Sequence, residues 1–385
     1  MKKIFLNIVI LFSALSSINV FANNPEPSIQ LQAWIESKMQ HDNIPGASIA
    51  VVKNYQLKWA KGFGLKDKAK KEYVTTNTLF QAASMSKPIT AVAVMETFSK
   101  KNISLNTNIN TILKTWKIPE NGYTNKQVVT MKLLLSHSAG ISRFRYKGYS
   151  IHEKIPTLIE ELNGEPPANT PAIIVIRQPG TKYEYSPAGY TIIQQVLEDI
   201  YPQPFAEIMQ QLILNPLSMQ HSTFMSPLPK KYLSDVAMPY LPNGKPLANG
   251  PFSFTAAAGG LWTTPTDLAK FLIAIQKALA GEKQGDITPN LIAQMMLPGI
   301  NHNMGLGFEV NIDKNNKPSS GKGNYFRHSG FNSGYLATMV GSNKNGNGVI
   351  IMVNTAPQDM STTSIPQFDF LTAIVKKISE EENWN

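Results

Sequence analysis

The sequence predicts a mixed α/β (α+β) fold: one antiparallel β-sheet flanked by helices and built from both ends of the chain, with an inserted all-helical region. Apolar, β-branched runs bounded by turn residues occur near both ends. In the middle of the chain, apolar residues at helical spacing instead predict helices separated by polar, Pro-rich loops. Of the 385 residues, 42% are hydrophobic and 16% charged, which suits a large core and excludes a disordered, collagen-like or coiled-coil chain.

The first 22 residues have the pattern of a signal peptide. Lys2 and Lys3 precede an apolar run over residues 4–15, and small or short residues then lead to a cleavage site after Ala22. A membrane anchor is the alternative, but the run is shorter than the roughly 20 apolar residues that a span needs. We therefore expect a cleaved signal and a periplasmic or secreted protein, with no later membrane span.

The first sheet elements follow this segment. Ser28 can cap a helix in which Leu31 and later apolar residues recur at helical spacing. Two apolar runs, 47–53 and 57–63, then predict a hairpin.

The remaining elements divide into a helical middle and a strand-rich end. Helices are predicted over residues 89–98, 131–135, 191–200, 205–214, 266–278 and 368–378. Strands are predicted over residues 305–312, 324–328, 335–341 and 349–354. This order places a sheet subdomain at about 23–83 and 255–385, and a helical subdomain at about 84–254.

Composition and charge exclude several classes of function. The chain has no cysteine, so disulfides, thiolate metal sites and cysteine nucleophiles are absent. Its six histidines are dispersed without metal-ligand spacing, and no metal or other cofactor is expected. The formal charge of +10 is scattered and accompanies no nucleic-acid motif, which indicates a solvated basic surface with some attraction to anionic cell-surface polymers.

The first candidate for chemistry is Ser84-Met85-Ser86-Lys87, which opens a strongly apolar helix. Ser84 would lie at the helix N-terminus and Lys87 one turn later on the same face. A desolvated lysine can lose its proton and accept one from a serine, and helix N–H groups can stabilise an oxyanion. The alternative is a capping serine beside a surface lysine. A second S-x-x-K at residues 319–322 lies in a polar run and is predicted to be a surface loop.

Two further segments could complete a site. Tyr185 lies in a loop rich in tyrosine and small residues; its phenol can act as a base if a cation such as Lys87 lowers its pKa from about 10. The run His328-Ser329-Gly330-Phe331 ends a predicted strand, where a ligand could pair with the edge and the Phe331 N–H could complete an oxyanion hole with that of Ser84. Packing is the alternative role for the tyrosine, and a structural hydrogen bond for the histidine.

Together these residues resemble the serine β-lactamase and penicillin-binding-protein superfamily, in the branch of class C β-lactamases, D-alanyl-D-alanine peptidases and related esterases. The motifs, in order along the chain, are Ile44-Pro45-Gly46-Ala47, Ser84-Met85-Ser86-Lys87, residues 133–140 (LLLSHSAG), Tyr185-Ser186, residues 215–219 (NPLSM), residues 258–262 (AGGLW) and His328-Ser329-Gly330. The resemblance implies one hydrolase domain over residues 23–385, with the site between its two parts.

The resemblance also implies a role for each site residue. Ser84 would be the nucleophile, Lys87 its activating partner and Tyr185 the acid/base, with the N–H groups of Ser84 and Phe331 as the oxyanion hole. The substrate would be bound by His328, Ser329, Gly330 and Pro187. The expected reaction is ester or amide hydrolysis through an acyl-enzyme.

Two departures from the family pattern affect the substrate. Pro187 stands where the family often has an asparagine, and it has neither a side-chain amide nor an N–H. His328 stands where many members have a lysine, and histidine is mostly neutral at pH 7. We therefore rank a simple ester first, a D-amino-acid peptide close behind and a β-lactam third. A non-catalytic binder of cell-wall fragments is the alternative, and the oligomeric state is left open.

Overall fold

The computed structural model describes residues 26–144, 146–320, 323–359 and 366–384. The predicted signal peptide, residues 1–22, lies outside the described residues, as do the last two residues of the second S-x-x-K motif. Along the described ranges, the helices are all too short or too polar to cross a lipid bilayer.

A seven-stranded antiparallel sheet forms the centre of the molecule, in the order β3-β2-β1-β9-β8-β7-β6. The strands are β1 Gly46–Lys53, β2 Gln56–Asp67, β3 Glu72–Tyr73, β6 Glu309–Ile312, β7 Tyr325–Asn332, β8 Tyr335–Ser342 and β9 Gly348–Val353. The first three come from the beginning of the chain and the last four from its end. The predicted fold class, a sheet built from both termini, is therefore confirmed.

Side chains alternate between the two faces of this sheet. On β1, Ile49 and Val51 belong to the core beneath the terminal helices, whereas Ala50 and Val52 belong to the core shared with the helical region. Alternation of this kind is the period of a strand, and burial of both faces explains why the run is apolar throughout. The β1–β2 turn has two left-handed residues, Asn54 and Tyr55, as a tight type I′ hairpin turn requires.

Helices cover both faces. The α-helices are α1 Ile29–His41, α2 Ser86–Lys100, α3 Ile109–Ile112, α4 Met131–Leu135, α5 Leu158–Asn163, α6 Pro187–Ile200, α7 Phe205–Met209, α8 Ala256–Gly259, α9 Pro265–Leu279, α10 Pro289–Met295 and α11 Pro366–Glu381. Helices α1 and α11 pack on one face, and α9 packs on the other. Ser28 caps α1 as predicted, its Oγ accepting the Leu31 N–H at 3.1 Å.

Two short strands mark where the inserted helices leave the sheet and return to it. Strand β4 (Phe80–Gln81) pairs with β5 (Trp262–Thr263). The residues just after β4 therefore lie beside those just before β5, although about 180 positions separate them in sequence. The predicted subdomain boundaries at 84 and 254 stay a prediction.

The structure corrects four predicted boundaries. Helix α6 begins at Pro187 and not at Thr191, because a proline fits the first helical turn. Residues 305–308 are not strand, since Gly307 has a φ of +86° and turns the chain against α2. Strand β7 continues past His328 to Asn332. The segment 205–214 changes from α-helix to π-helix at Gln210.

Candidate active site

The candidate nucleophile lies on a strained turn between β4 and α2. A 3₁₀ turn, Ala83–Met85, leads directly into the helix, and Ala83 has a φ of +50°, which is costly for a residue with a Cβ. Ser84 is half-exposed, whereas Ser86 is buried. The Ser86 hydroxyl donates to the Ala83 carbonyl at 2.7 Å and accepts the Leu261 N–H at 3.1 Å. The first serine of the motif is thus accessible, and the second holds the turn in place.

Lys87 lies in a dry position beside this serine. Its side chain is 1% exposed, and its Nζ donates to Ser84 Oγ at 3.0 Å and to the Ala258 carbonyl at 2.6 Å. The rings of Tyr185 and Tyr190 lie 5.2 and 5.5 Å from Nζ. Burial lowers the pKa of Lys87 from 10.5 to about 7, so a large share of the amine is neutral at physiological pH. The predicted surface-lysine alternative is wrong.

Tyr185 completes the group from the loop before α6. Burial raises the pKa of its phenol above the usual 10, and a hydrogen bond with the Ser84 hydroxyl lowers it by less. The structure therefore brings Tyr185 to Ser84 as the sequence predicts. It does not support a phenolate, because burial outweighs the favourable hydrogen bond. Tyr185 in this site is a neutral phenol, and Lys87 is the group whose proton is labile near pH 7.

Strand β7 forms the opposite wall. Gly330 packs against the nucleophile turn so closely that a Cβ there would lie 2.1 Å from the Ala82 carbonyl oxygen. Its neighbour on the same face, His328, is buried, and its Nδ1 lies 2.8 Å from the Ser329 carbonyl, to which only an N–H can donate. Burial first, and then the charge of Lys87, lower the pKa of His328 to about 3. This imidazole is neutral.

The other two residues of that run present their side chains to the opposite face. The Ser329 hydroxyl lies 3.1 Å from that of Thr338 on β8, and the Phe331 ring stacks on Phe368 beneath the terminal helices. Only the main chains of Ser329 and Phe331 can therefore serve the site. An oxyanion hole formed by Ser84 and Phe331 N–H groups stays a prediction consistent with the position of Gly330.

Pro187 is the first residue of α6, two positions after Tyr185, and is half-exposed. A proline fits the first turn of a helix, where its missing N–H costs no intrahelical hydrogen bond. Its side chain cannot form a hydrogen bond with a substrate. Its predicted substrate-binding role stays a prediction.

Two supporting residues were not predicted. Asn332 ends β7, and its side-chain amide donates to Gln81 Oε1 at 2.7 Å and to the Gly259 carbonyl at 3.1 Å, joining β7 to both sides of the insertion. His137, in the LLLSHSAG stretch, packs its ring 4.3 Å from that of Tyr185. Its position inside a motif of the family resemblance was the one available signal.

Carboxylates and histidines do not converge on a metal-like arrangement: among the described residues, no group of three or more could hold an ion.

A strained serine turn, a buried lysine one helical turn away, and a tyrosine from an inserted helical region beside an antiparallel sheet define a class of serine hydrolases. Comparisons with known proteins agree. The profile of the family described as Beta-lactamase matches residues 31–374. The chain belongs to this family.

Curated relatives match with lower coverage. Protein flp of Staphylococcus aureus (strain MW2) is 28% identical over 198 residues, covering 51% of this chain and 38% of the relative. Teichoic acid D-alanine hydrolase of Staphylococcus aureus is 26% identical over 245 residues, covering 62% of this chain and 56% of the relative. The matches thus span about half or less of these relatives.

Solved structures share the fold. The octameric penicillin-binding protein homologue from Pyrococcus abyssi superposes with a TM-score of 0.70 at 24% identity, covering 91% of this chain and 77% of the other. FmtA from Staphylococcus aureus superposes with a TM-score of 0.66 at 20% identity, covering 92% and 94%.

Proposed function

We propose that this protein hydrolyses small ester substrates, D-amino-acid esters such as D-alanyl esters foremost, through a covalent acyl-enzyme on Ser84. One observation carries the proposal: Lys87 Nζ lies 3.0 Å from Ser84 Oγ, and burial lowers the pKa of its ammonium to about 7. A neutral amine at hydrogen-bond distance is what a serine needs to become a nucleophile. A protein that only binds its ligand gains nothing from a buried lysine of this kind.

The reaction proceeds in two halves. Ser84 Oγ bonds to the ester carbonyl carbon while its proton passes to neutral Lys87 Nζ. The bond from that carbon to the leaving oxygen then breaks, and the leaving alcohol takes the proton back from Lys87 through the Tyr185 hydroxyl. In the second half a water oxygen bonds to the acyl carbon while one of its protons passes to Lys87. The bond from that carbon to Ser84 Oγ then breaks, Oγ takes the proton from Lys87, and the acid leaves. The Ser84 and Phe331 N–H groups stabilise the oxyanion in both halves.

The lining of the site favours an ester without a carboxylate. The position of the family's lysine holds His328, which is neutral because its pKa is about 3, so that residue provides no fixed cation for a β-lactam or peptide carboxylate. Pro187 provides no amide for an acyl-amide group. The curated relative named as a teichoic acid D-alanine hydrolase supports a D-alanyl ester as the substrate.

Export is part of the proposal. The signal-peptide pattern of the first 22 residues supports a mature enzyme in the periplasm or outside the cell. N-terminal sequencing of the mature protein should begin at Asn23; a chain that retains Met1 to Ala22 would refute export with cleavage.

Covalent labelling tests the chemistry. The wild type is treated with a fluorophosphonate, a short-chain aryl ester, a D-alanyl ester, a D-Ala-D-Ala peptide and a penicillin, and the adduct is located by mass spectrometry. We expect an adduct on Ser84 with the probe and the esters, and none in Ser84→Ala. Ser319→Ala, the first serine of the second S-x-x-K, is the matched control and should label like the wild type.

Three outcomes would refute the proposal in different ways. An adduct that persists in Ser84→Ala would place the nucleophile elsewhere. A wild type that no reagent labels would favour the non-catalytic binder. Faster acylation by penicillin than by either ester would favour a β-lactamase.

A further inference from the structure

His137 holds the main chain on both sides of Tyr185. It follows α4 with a left-handed φ of +54° and is 3% exposed. Its carbonyl oxygen accepts the Glu184 N–H at 2.8 Å, and its Nδ1 accepts the Ser186 N–H at 3.2 Å. Tyr185 is the one residue between these two anchors, and its ring packs against the His137 ring at 4.3 Å with an interplanar angle of 37°.

The contact with Ser186 fixes the protonation of His137. A backbone amide can only donate, so Nδ1 must present a lone pair and the proton must lie on Nε2. An imidazolium would point Nδ1–H at the Ser186 N–H and break this contact. Burial, and then the nearby titratable groups Lys87 on α2 and His328 on β7, hold the pKa of His137 well below the usual 6.5. The Ser186 contact and the lowered pKa both favour a neutral His137 with Nδ1 as the acceptor.

We propose that His137 is the positioning residue for Tyr185, keeping the phenol at Ser84 without itself touching substrate. This inference rests on the proposed hydrolase function. Reactive geometry tolerates little error, since a displacement of about 1 Å costs on the order of 100-fold in rate. Two hydrogen bonds and a ring contact around a single residue are the restraint that a loop needs to hold such a position.

Two variants, both without the imidazole ring, compare a side chain that keeps an acceptor with one that lacks it. His137→Asn keeps an acceptor near the place of Nδ1 and tolerates a positive φ, whereas His137→Leu has nearly the same size and no acceptor. We expect the leucine variant to lose about 10- to 100-fold in the rate of Ser84 acylation by the D-alanyl ester, whose leaving alcohol needs a proton through Tyr185. The asparagine variant should recover most of that rate. Equal losses in the two variants would overturn the proposal.

A double-mutant cycle tests whether His137 acts through Tyr185. In a Tyr185→Phe background, the step from His137 to leucine should cost less than about threefold, because the group that His137 positions is already gone. A cost as large as in the wild-type background would mean that the leucine damages the site in general, and would overturn the positioning role. Melting temperatures of all variants report any loss of folding stability.

Hydrogen exchange gives a readout that does not depend on activity. Exchange over residues 183–190 should accelerate in His137→Leu and stay near wild-type in His137→Asn, since only the leucine frees the Ser186 amide. Unchanged exchange in the leucine variant would overturn the proposal. If the exchange pattern holds but the wild type is not labelled at Ser84, the anchoring of Tyr185 stands and the hydrolase function falls.

Discussion

Replacing Lys87 with methionine should stabilise the fold at low pH and lose that advantage as the pH rises. The lysine is buried in a site where its pKa is about 7, and in the unfolded chain it titrates near 10.5. Between these values the unfolded state binds one more proton than the folded state, so the free energy of unfolding rises with pH in that window. Below about pH 7 the wild type carries the whole cost of the buried charge.

The structure gives the size of the effect. A pKa lowered from 10.5 to about 7 corresponds to about 5 kcal/mol, at roughly 1.4 kcal/mol for each pKa unit. Methionine removes this cost but leaves the Ala258 carbonyl without its 2.6 Å donor, a loss of about 1–3 kcal/mol. At pH 6 we therefore expect Lys87→Met to be more stable than wild type by about 2–4 kcal/mol. By pH 9.5 about 3 kcal/mol of this difference should be gone.

Urea unfolding at half-unit steps from pH 6 to pH 9.5 measures this difference directly. Lys101→Met, an exposed lysine at the end of the same helix, controls for the substitution itself. A stability difference between Lys87→Met and wild type that stays constant over the whole range would show that Lys87 titrates as an ordinary lysine. Lys87 would then stay protonated near pH 7 and could not act as the base in the proposed mechanism.

The acylation rate of Ser84 should rise with pH to a plateau, with an apparent pKa of about 7, because neutral Lys87 is the proposed base. A flat profile in stopped-flow measurements with an aryl ester would contradict this. Gly330→Ala should destabilise the protein by about 1–3 kcal/mol and slow acylation, since its Cβ would lie 2.1 Å from the Ala82 carbonyl oxygen. Gly122→Ala is the control: a Cβ there meets nothing within 4 Å, so stability and acylation rate should stay unchanged. Thermal melts compare the stabilities of the two alanine variants. Pro187→Asn adds a side-chain amide at the helix start and should raise the rate of penicillin adduct formation, followed by mass spectrometry, by about 5- to 150-fold for a hydrogen bond of about 1–3 kcal/mol. An unchanged rate would show that Pro187 does not exclude β-lactams.

The parts of the site that depend on local geometry could be predicted from sequence. Ser84 and Lys87 are three residues apart at the start of an apolar helix, so their shared face follows from helical periodicity. The proline at 187 likewise indicates a helix start, although the predicted boundary was four residues late. Strand pairs at both ends of the chain were recognisable because their turns carry left-handed residues such as Asn54.

Effects that depend on how deeply a side chain is buried, or on packing between segments distant in sequence, could not be predicted. From the sequence, Tyr185 can act as a base if Lys87 lowers the pKa of its phenol, whereas burial in the folded protein raises that pKa. The role of His137 depends on its left-handed φ and on its hydrogen bond with Ser186, which lies 49 residues later in the sequence. Both are products of the tertiary fold. One correction could have been made from the sequence. Side chains alternate along a strand, so Ser329 lies on the face opposite His328, and three consecutive side chains cannot all line one pocket.

The place of β1 between β2 and β9 has a consequence for how the enzyme becomes competent during synthesis. The first and last strands of the sheet are neighbours, and the nucleophile turn is braced by Gly330, which follows it by nearly 250 residues. A growing chain cannot assemble this arrangement until its final third has left the ribosome, and contacts so distant in sequence form slowly. The proposed nucleophile, Ser84, therefore gains its bracing strand only after the last strands of the sheet have been synthesised.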